Sequence, residues 1–346
     1  MKNILVIKCF GLGSIVLCTP ALSILKKTFP QARLHFLSFA SNRELLERIP
    51  LIDTVLTIDT SSFIGFIADT LKTLRHVRTT FYDVVFDFEF FSKYSTAISG
   101  FSGAPQRVGF ALPTRWRSML VTHPVLLSKD QHVSKAFCNQ VFAITGNHPT
   151  PDIVPPLLTG TDKRSLLGKV ALNEGHIICI NVNAGETFLE RRWPAEYYAE
   201  LVSKLSMEEK TQLFFIGLEN EYVYIQNIID RTSCRKQCYN VAGLLTIPEL
   251  AALLKQSLLL ISNDSGPLHL AASLGVPVIG LYGPETPVFY GPIGEQTSTI
   301  YKSISCSPCM NVYDSKTFKC PYNARCMKEI SVEEVGQFIS TILVSN

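Results

Sequence analysis

A polar turn separates an apolar strand from a short apolar helix in NDSGPLHLAASLGVPVIGLYGP, residues 263–284. Asp264, Ser265 and Gly266 form the predicted turn, and a proline follows in the first helical turn, where its missing N–H costs nothing. The free N–H groups and the helix dipole at such an N-terminus suit a phosphate group. The Asp264 carboxylate suits sugar hydroxyls, and His269 lies early enough in the helix to face the same ligand. An ordinary strand–turn–helix with a capping aspartate and a core histidine is the competing interpretation.

Two carboxylates end a predicted strand in VFDFEFFSK, residues 85–93. Because alternate residues of a strand share a face, Asp87 and Glu89 are expected to point the same way, with Lys93 close in sequence. Glu89 lies nearer the strand end, so we predict it as a general base and Asp87 as its catalytic neighbour. Structural hydrogen bonding by both carboxylates is the alternative.

Four cysteines cluster near the C-terminus, at Cys306, Cys309, Cys320 and Cys326. A C-x2-C pair followed by two further cysteines has the spacing of a metal site, and zinc or iron in a structural role is plausible. Reduced thiols are the main alternative, and disulfides are the least favoured because a cytoplasmic compartment is reducing.

The composition describes a globular protein of two domains. The chain has 346 residues, 47% hydrophobic and 18% charged, and its net charge of +3 is too small to indicate a nucleic-acid partner. No apolar run reaches the ~20 residues that a membrane-spanning helix needs. The segment MKNILVIKCFGLGSIVLC mimics a signal peptide, but Lys8 interrupts it and no small-residue cleavage site follows. We therefore predict a buried strand there and a cytoplasmic location.

Strands and helices alternate along most of the chain. The first half, from KNILVIK to FYDVVFDFEFF, predicts a parallel sheet covered on both faces. Proline, glycine and polar residues fill 147–175, as is typical of a domain junction, and the alternation resumes with HIICINVNAG. We predict an α/β fold of two doubly wound units facing a cleft, with ligands at the carboxyl ends of the strands. The predicted domains are residues 1–165 and 170–330, and a helix over 331–346 is expected to pack back towards the first domain.

Several of these segments together carry a family resemblance. In chain order they are ILVIKCFGLGSIVLCTPAL, FYDVVFDFEFFSKYSTAISGFSGAPQRVGF, NVNAG, ERRWP, AEYYAEL, IGLENE, VAGLLTIPELAALL, the opening stretch and YGPETPVFYGP. This ordered set resembles the glycosyltransferase family 9 heptosyltransferases, which build the lipopolysaccharide inner core. The resemblance implies a GT-B fold of two Rossmann-like domains, with the acceptor on the first and the nucleotide sugar on the second. It also implies transfer of a sugar, most simply heptose from ADP-heptose, with inversion and without a required metal or cofactor.

The resemblance assigns a donor-binding set in the second domain. Arg191 of ERRWP falls where the family keeps a basic residue for the diphosphate, and an arginine fork binds phosphate oxygens bidentately. Glu221 of IGLENE falls near a family carboxylate that contacts the nucleoside, with solvated helix surface as the competing interpretation. The remaining implied donor-binding residues are Asn183, Gly185, Asp264, Ser265, Gly266 and His269.

The N-terminal motif departs from the family pattern. Family members commonly carry an aspartate after the glycine turn as the general base, and Ser14 of GLGSIV stands there in this chain. A serine cannot take that proton unaided, which is why Glu89 is the preferred base. Gly11 and Gly13 are expected to shape the acceptor side, where glycines permit close backbone approach. Two alternatives stay open: an epimerase-like GT-B enzyme, and a catalytically impaired member that binds nucleotide sugar.

Basic residues in the first half suit an anionic glycolipid or glycan acceptor. They are Lys72, Arg75, Arg78, Arg107, Arg115 and Arg117. The helix containing TLKTLRHVRTT is predicted to touch the inner-membrane surface, as peripheral amphipathic helices do, with ordinary solvated surface as the alternative.

Overall fold

The computed structural model describes residues 1–111, 119–146, 152–157, 160–172, 175–185, 188–205, 211–310 and 319–345. Contacts divide the chain into two compact units, Met1–Leu157 and Leu158–Asn346. The helix Gly160–Lys169 lies in the stretch predicted as a junction and belongs to the second unit. Its sequence, GTDKRSLLGK, has little apolar periodicity, which is why the pattern did not indicate it.

The described residues of the first unit form a parallel sheet in the order β3-β2-β1-β4-β5-β6. Its strands are β1 Asn3–Ile7, β2 Arg33–Phe39, β3 Thr54–Ile58, β4 Val84–Asp87, β5 Gln106–Phe110 and β6 His123–Val125. Its helices are α1 Leu12–Leu17, α2 Thr19–Thr28, α3 Arg43–Leu46, α4 Phe63–Thr80, α5 Lys93–Phe101 and α6 Val133–Thr145, with a 3₁₀ turn at Ala40–Asn42. The strand order reverses between β1 and β4, so the residues that follow these two strands share one edge of the sheet.

The described residues of the second unit repeat this arrangement in the order β12-β11-β10-β7-β8-β9, again all parallel. Its strands are β7 His176–Asn181, β8 Thr211–Phe215, β9 Cys238–Asn240, β10 Leu259–Asn263, β11 Val278–Tyr282 and β12 Thr297–Tyr301. Its helices are α7 Gly160–Lys169, α8 Ala195–Leu205, α9 Tyr222–Ile229, α10 Ile247–Leu254, α11 Gly266–Ser273, α12 Pro287–Tyr290, α13 Arg325–Lys328 and α14 Val332–Ser345. Short 3₁₀ turns lie at Leu189–Arg191, Glu219–Glu221 and Arg235–Gln237. Here the order reverses between β7 and β10.

The apolar segment after β1 forms two short helices. Helix α1 ends at Leu17 and α2 begins at Thr19, with Pro20 in its first turn. Because proline has no N–H to donate, it is tolerated at a helix start and not in an interior, so the chain begins a new helix there. Gly11 precedes α1 with φ of 84°, a conformation that L side chains rarely adopt.

The C-terminal helix α14 packs within the second unit. Val332, Val335 and Ile339 are buried in the same core cluster as Trp193 and Tyr198. The Trp193 indole N–H donates to the Ile330 carbonyl at 2.9 Å, just before the helix begins. One face of the helix is thus buried in the second unit's own core, and the expected packing towards the first domain stays a prediction.

Candidate functional site

Polar residues collect where β7 and β10 end, at the reversal point of the second sheet. Asn181 is paired in register with Ser262, and both are buried. The chain then continues through Asn183 on one side and through Asn263 and Asp264 on the other. Ligands of open α/β sheets bind at such reversal points, beyond the carboxyl ends of the strands.

Two asparagines that the sequence analysis did not single out form the frame of this cluster. The Asn181 amide donates to Ser262 Oγ at 3.0 Å and to Ser265 Oγ at 2.6 Å. Asn263 Oδ1 accepts from the Trp193 backbone N–H at 3.0 Å. The available sequence signal was an asparagine at the end of each of two apolar strands.

Ser265 lies directly before α11 but does not cap it. Its hydroxyl is bonded to Asn181 and, at 3.0 Å, to Ser262 Oγ, and no side-chain cap is formed. Neighbouring polar side chains therefore compete with the helix N-terminus for this oxygen. The consequence is that the N–H groups of the first turn of α11, which begins at Gly266, are not capped by Ser265.

Asn183 has a buried side-chain amide without a hydrogen-bond partner. The residue is 3% exposed, and neither its Oδ1 nor its Nδ2 has a partner among the described residues. Gly217 approaches closely, since a Cβ there would lie 2.9 Å from Asn183 Nδ2. An unpaired buried amide costs about 1–3 kcal/mol, so such groups call for an explanation, and a ligand is one.

Arg191 lies beside Asp264 at the start of α11. Its Nη1 donates to the Asp264 carbonyl at 3.1 Å and lies 3.3 Å from the Asp264 Oδ2, while Nη2 donates to the Ala184 carbonyl. Arg191 Nε is buried without a partner among the described residues. Burial raises the pKa of Asp264, and the Arg191 guanidinium offsets this only in part. A cation and a helix N-terminus thus meet at one place. Gly185, with φ of 73°, adjoins this guanidinium.

Glu221 and His269 are both buried, at 6% and 4% exposed. Glu221 Oε2 accepts from the Leu218 backbone N–H at 2.8 Å, and its Oε1 lies 3.8 Å from Arg192 Nη2. Glu221 is therefore not a solvated helix surface, which was the competing interpretation. His269 belongs to α11, whose N-terminus adjoins Arg191.

The reversal point of the first sheet holds a buried ion pair. Lys8 Nζ lies 2.9 Å from Glu89 Oε1, and the two residues are 2% and 1% exposed. The same oxygen accepts from the backbone N–H groups of Cys9 at 2.7 Å and Phe10 at 2.9 Å. Lys8 also donates to the Phe10 carbonyl at 2.7 Å. Glu89 therefore ties the end of β4 to the loop that follows β1, and Lys8 is a partner that the sequence analysis did not identify.

Asp87 and Glu89 have different partners. Strand β4 ends at Asp87, whose Oδ2 accepts from Thr96 Oγ1 of α5 at 2.7 Å and whose Oδ1 accepts from the Glu89 backbone N–H at 3.2 Å. The strand alternation therefore does not reach Glu89, and the two carboxylates bind different elements. Lys93 is the exposed first residue of α5.

Ser14 and the glycine turn adjoin the loop that Glu89 holds. Ser14 is partly exposed in α1, and a Cβ on Gly11 would lie 3.3 Å from its Oγ. Gly13 is buried in the same helix. The hydroxyl of Ser14, the residue at the position where the family resemblance places the general base, thus lies against the glycine turn.

The C-terminal cysteines are not arranged as a metal site. Burial, followed by the neighbouring thiols, raises the pKa of Cys309 and Cys326 to about 11. Across the part of the chain that the structure describes, no group of three or more His, Cys, Asp or Glu side chains could hold a metal ion. The predicted structural zinc or iron is therefore not supported. Cys326 packs in the core of the second unit. Cys320 Sγ accepts the Ala324 backbone N–H at 3.4 Å, so both thiols make contacts within the protein.

Over the described residues, no helix is both long enough and apolar enough to span a bilayer.

Of the basic residues expected to guide an acceptor, Arg107 donates to the backbone carbonyls of Leu120 and Ala104. Arg115 and Arg117 lie outside the described residues.

Comparison with known proteins agrees with this architecture. Residues 70–318 match glycosyltransferase family 9 (heptosyltransferase). Lipopolysaccharide heptosyltransferase 2 of Salmonella typhimurium is 25% identical over 308 residues, covering 86% of this chain and 87% of that protein. A glycosyl transferase family 9 structure from Veillonella parvula has a TM-score of 0.82 at 22% identity, covering 100% of this chain and 98% of the other. The E. coli ADP-heptose lps heptosyltransferase II structure has a TM-score of 0.80 at 21% identity, covering 100% and 99%.

The chain has two Rossmann-like α/β units, each with polar residues at its reversal point. This is the GT-B fold of glycosyltransferases, as predicted. The chain belongs to glycosyltransferase family 9, the heptosyltransferases, which confirms the family resemblance.

Proposed function

We propose that this chain transfers heptose from ADP-heptose to a lipopolysaccharide core or related glycan acceptor, with inversion and without a catalytic metal. Its curated relatives are named as lipopolysaccharide heptosyltransferases, and a solved relative is named for ADP-heptose. The observation that carries the donor side is the cluster of Asn183, Arg191 and the α11 N-terminus, in which buried polar groups have no hydrogen-bond partner among the residues that the structure describes.

In this proposal the second unit, residues 158–346, binds the donor. Arg191 and the uncapped first turn of α11 hold the diphosphate, because both present N–H donors and positive charge to phosphate oxygens. The Asn183 amide, which has no side-chain partner in the described part of the chain, donates and accepts hydrogen bonds with the donor, and Gly185 lets the backbone approach the phosphates. Ser265, Gly266 and His269 support the same end of α11, and Glu221 contacts the nucleoside.

Catalysis then rests on charge stabilisation. Negative charge develops on the leaving diphosphate as the sugar bond breaks, and fixed donors aimed at that charge lower the barrier most. Arg191 is already oriented by the Asp264 and Ala184 carbonyls, so it needs no reorganisation when the charge appears. Because Asp264 is buried beside this cation, it is placed to hold the guanidinium and to meet a sugar hydroxyl.

The first unit, residues 1–157, binds the acceptor in this proposal, through the turn of Gly11 and Gly13 and through Lys93. For Glu89 the geometry supports a positioning role more than the role of general base. Its Oε1 accepts from three donors, the Lys8 ammonium and the backbone N–H groups of Cys9 and Phe10, and these contacts tie the end of β4 to the loop after β1. Asp87 likewise has donors on both oxygens. We further propose a cytoplasmic location.

A transfer assay tests the donor side. Incubating the protein with ADP-heptose and a heptose-deficient lipopolysaccharide acceptor should release ADP only when the acceptor is present. Arg191→Ala should lower kcat/KM about 100-fold, as the loss of one fixed charge-stabilising donor does. Arg164→Ala is the matched control, since Arg164 is an exposed arginine of α7 in the same unit, and its activity should be unchanged. Activity should also survive EDTA.

The outcomes separate the alternatives. Release of ADP without acceptor, or conversion of the sugar without transfer, would favour an epimerase-like enzyme. Binding of ADP-heptose with no turnover on any acceptor would identify a catalytically impaired member. If ADP-heptose does not bind at all, the donor assignment is wrong.

A further inference from the structure

Helix α4 exposes large apolar side chains on its first two turns. Phe63, Ile64, Ile67 and Leu71 are 80%, 82%, 42% and 62% exposed. Single exposed apolar residues are ordinary, but four of them on adjacent turns form a patch, and such patches mark interaction surfaces.

The helix itself is regular and anchored. Ser62 caps it by accepting from the Gly65 backbone N–H at 3.1 Å. Phe66, Leu74 and Val77 pack in or against the core cluster of the first unit. The exposed apolar residues therefore belong to a well-formed second face of α4 and do not come from a frayed helix end.

The exposed face changes character along its length. Ile64, Ile67 and Leu71 share it with Arg75 and Arg78, at spacings of three, four, four and three residues that keep side chains on one side of a helix. From Ile64 to Arg78 the face is about 21 Å long, at about 1.5 Å per residue. One half is apolar, and the other half is basic.

A cavity of about 390 Å³ lies between the basic half of α4 and strand β3. Arg43, Lys72, Arg75 and His76 line it, and among the described residues its lining includes no Asp or Glu. Glu47 neutralises part of this charge, since its Oε1 lies 3.3 Å from Arg43 Nη1 on the protein surface. The cavity is thus suited to an anionic group of the size of a phosphate ester.

We propose that this surface, the outer face of α4 with the adjoining basic cavity, docks on a bilayer that carries anionic phospholipids. The apolar half enters the boundary of the acyl chains, and the basic half binds lipid phosphate groups, as interfacial helices do. A protein partner would need a groove that matches both halves, whereas an anionic bilayer presents apolar and anionic layers side by side without such a match. The docking surface is built from α3, β3 and α4 of the first unit, so it is tested independently of the donor chemistry.

Vesicle co-sedimentation tests the proposal with the full-length protein. The wild type should sediment with vesicles of phosphatidylcholine and phosphatidylglycerol and much less with phosphatidylcholine alone. Lys72→Gln/Arg75→Gln should bind the anionic vesicles about 20-fold more weakly at low ionic strength, since each basic residue near the surface contributes about fivefold. Ile64→Ser/Leu71→Ser should weaken binding about tenfold, at high as well as low ionic strength, because the loss is apolar.

Matched controls use exposed residues elsewhere in the first unit. Lys27→Gln/Arg33→Gln and Phe101→Ser remove the same charge and a comparable apolar surface, and both should bind as the wild type does. Circular dichroism and thermal unfolding check that every variant is folded. Wild-type protein that ignores anionic vesicles, or α4 variants that bind like the controls, would overturn the proposal. Binding of inorganic phosphate by wild-type protein that does not sediment with anionic vesicles would also overturn it, because the cavity would then be a soluble-anion site.

Discussion

The two sheets reverse their strand order in the same way, but the polar residues at the two reversal points differ in their hydrogen bonding. At the end of β1 and β4, the Glu89 carboxylate and the Lys8 ammonium are buried together, and three donors converge on one carboxylate oxygen. At the end of β7 and β10, the Asn183 amide and the Arg191 Nε are buried without partners among the described residues. The first cluster has its hydrogen bonds made within the protein, and the second has some left to make.

This difference has a direct physical meaning. A satisfied buried pair fixes the backbone around it, here the loop from Cys9 to Gly11, and contributes nothing further when a ligand arrives. An unsatisfied amide destabilises the protein until something binds it, so ligand affinity and protein stability oppose each other there. Substitutions at the ion pair, at Asn183 and at Asp264 can break or sharpen this contrast.

The largest effect is expected at the buried ion pair. Glu89→Gln leaves the Lys8 ammonium buried without its counter-charge, which should lower the free energy of unfolding by about 3–5 kcal/mol in urea titrations. Lys8→Met/Glu89→Gln should cost less than the single change, because no charge is then stranded and the glutamine oxygen can still accept from Cys9.

The same pair of variants tests the base. If Glu89 positions the loop, the double variant should regain transfer activity along with its stability, and ADP binding should be unaffected throughout. A double variant that is stable, binds ADP and remains inactive would instead support Glu89 as the general base. Equal destabilisation by the single and the double change would show that the ion pair is not the dominant interaction.

A smaller effect of opposite sign is expected at Asn183. Asn183→Leu replaces an unpartnered amide by an apolar group of similar size and should raise the free energy of unfolding by about 1 kcal/mol. The affinity for ADP, measured by calorimetry, should fall about tenfold because hydrogen bonds to the ligand are lost.

Asn181→Leu is the matched control, since its amide is bonded to Ser262 and Ser265. It should destabilise the protein by about 2 kcal/mol, as the loss of a satisfied buried group does. Loss of stability in Asn183→Leu as well would show that the two asparagines do not differ.

The smallest effect concerns the pH dependence of stability at Asp264. Burial raises its folded pKa above the ordinary 3.8, so the folded chain binds this proton more tightly than the unfolded chain does. Its contribution to stability is therefore largest at low pH and falls as the pH rises from 3.8 through the raised pKa. Asp264→Asn should be slightly more stable than the wild type at neutral pH and lose that advantage in acid.

Urea titrations from acidic to neutral pH measure this difference. A variant that is less stable at neutral pH would mean that the Arg191 ion pair outweighs the cost of burial. In either case kcat/KM should fall, because Asp264 orients the guanidinium.

Local patterns were sufficient for much of the candidate site. The alternation of strands and helices predicted the α/β class, and the chain-wide motifs predicted the family. The turn before α11 lies at the end of β10 as expected. These features depend on residues close together in sequence, or on motifs whose order is preserved, so they can be read without knowing the packing.

The remaining features depend on packing. Lys8 meets Glu89 across 81 residues, and Asn181 meets Ser265 across 84, because parallel strands bring distant segments to one edge of a sheet. The spacing of the C-terminal cysteines is compatible with a metal site, but within the described ranges no group of three or more His, Cys, Asp or Glu side chains could hold a metal ion. The sequence by itself determined which strands end in polar residues. Only the tertiary structure decided which of those residues bond to one another and which lack a partner among the described residues, because a hydrogen bond depends on distances between segments that no local pattern contains.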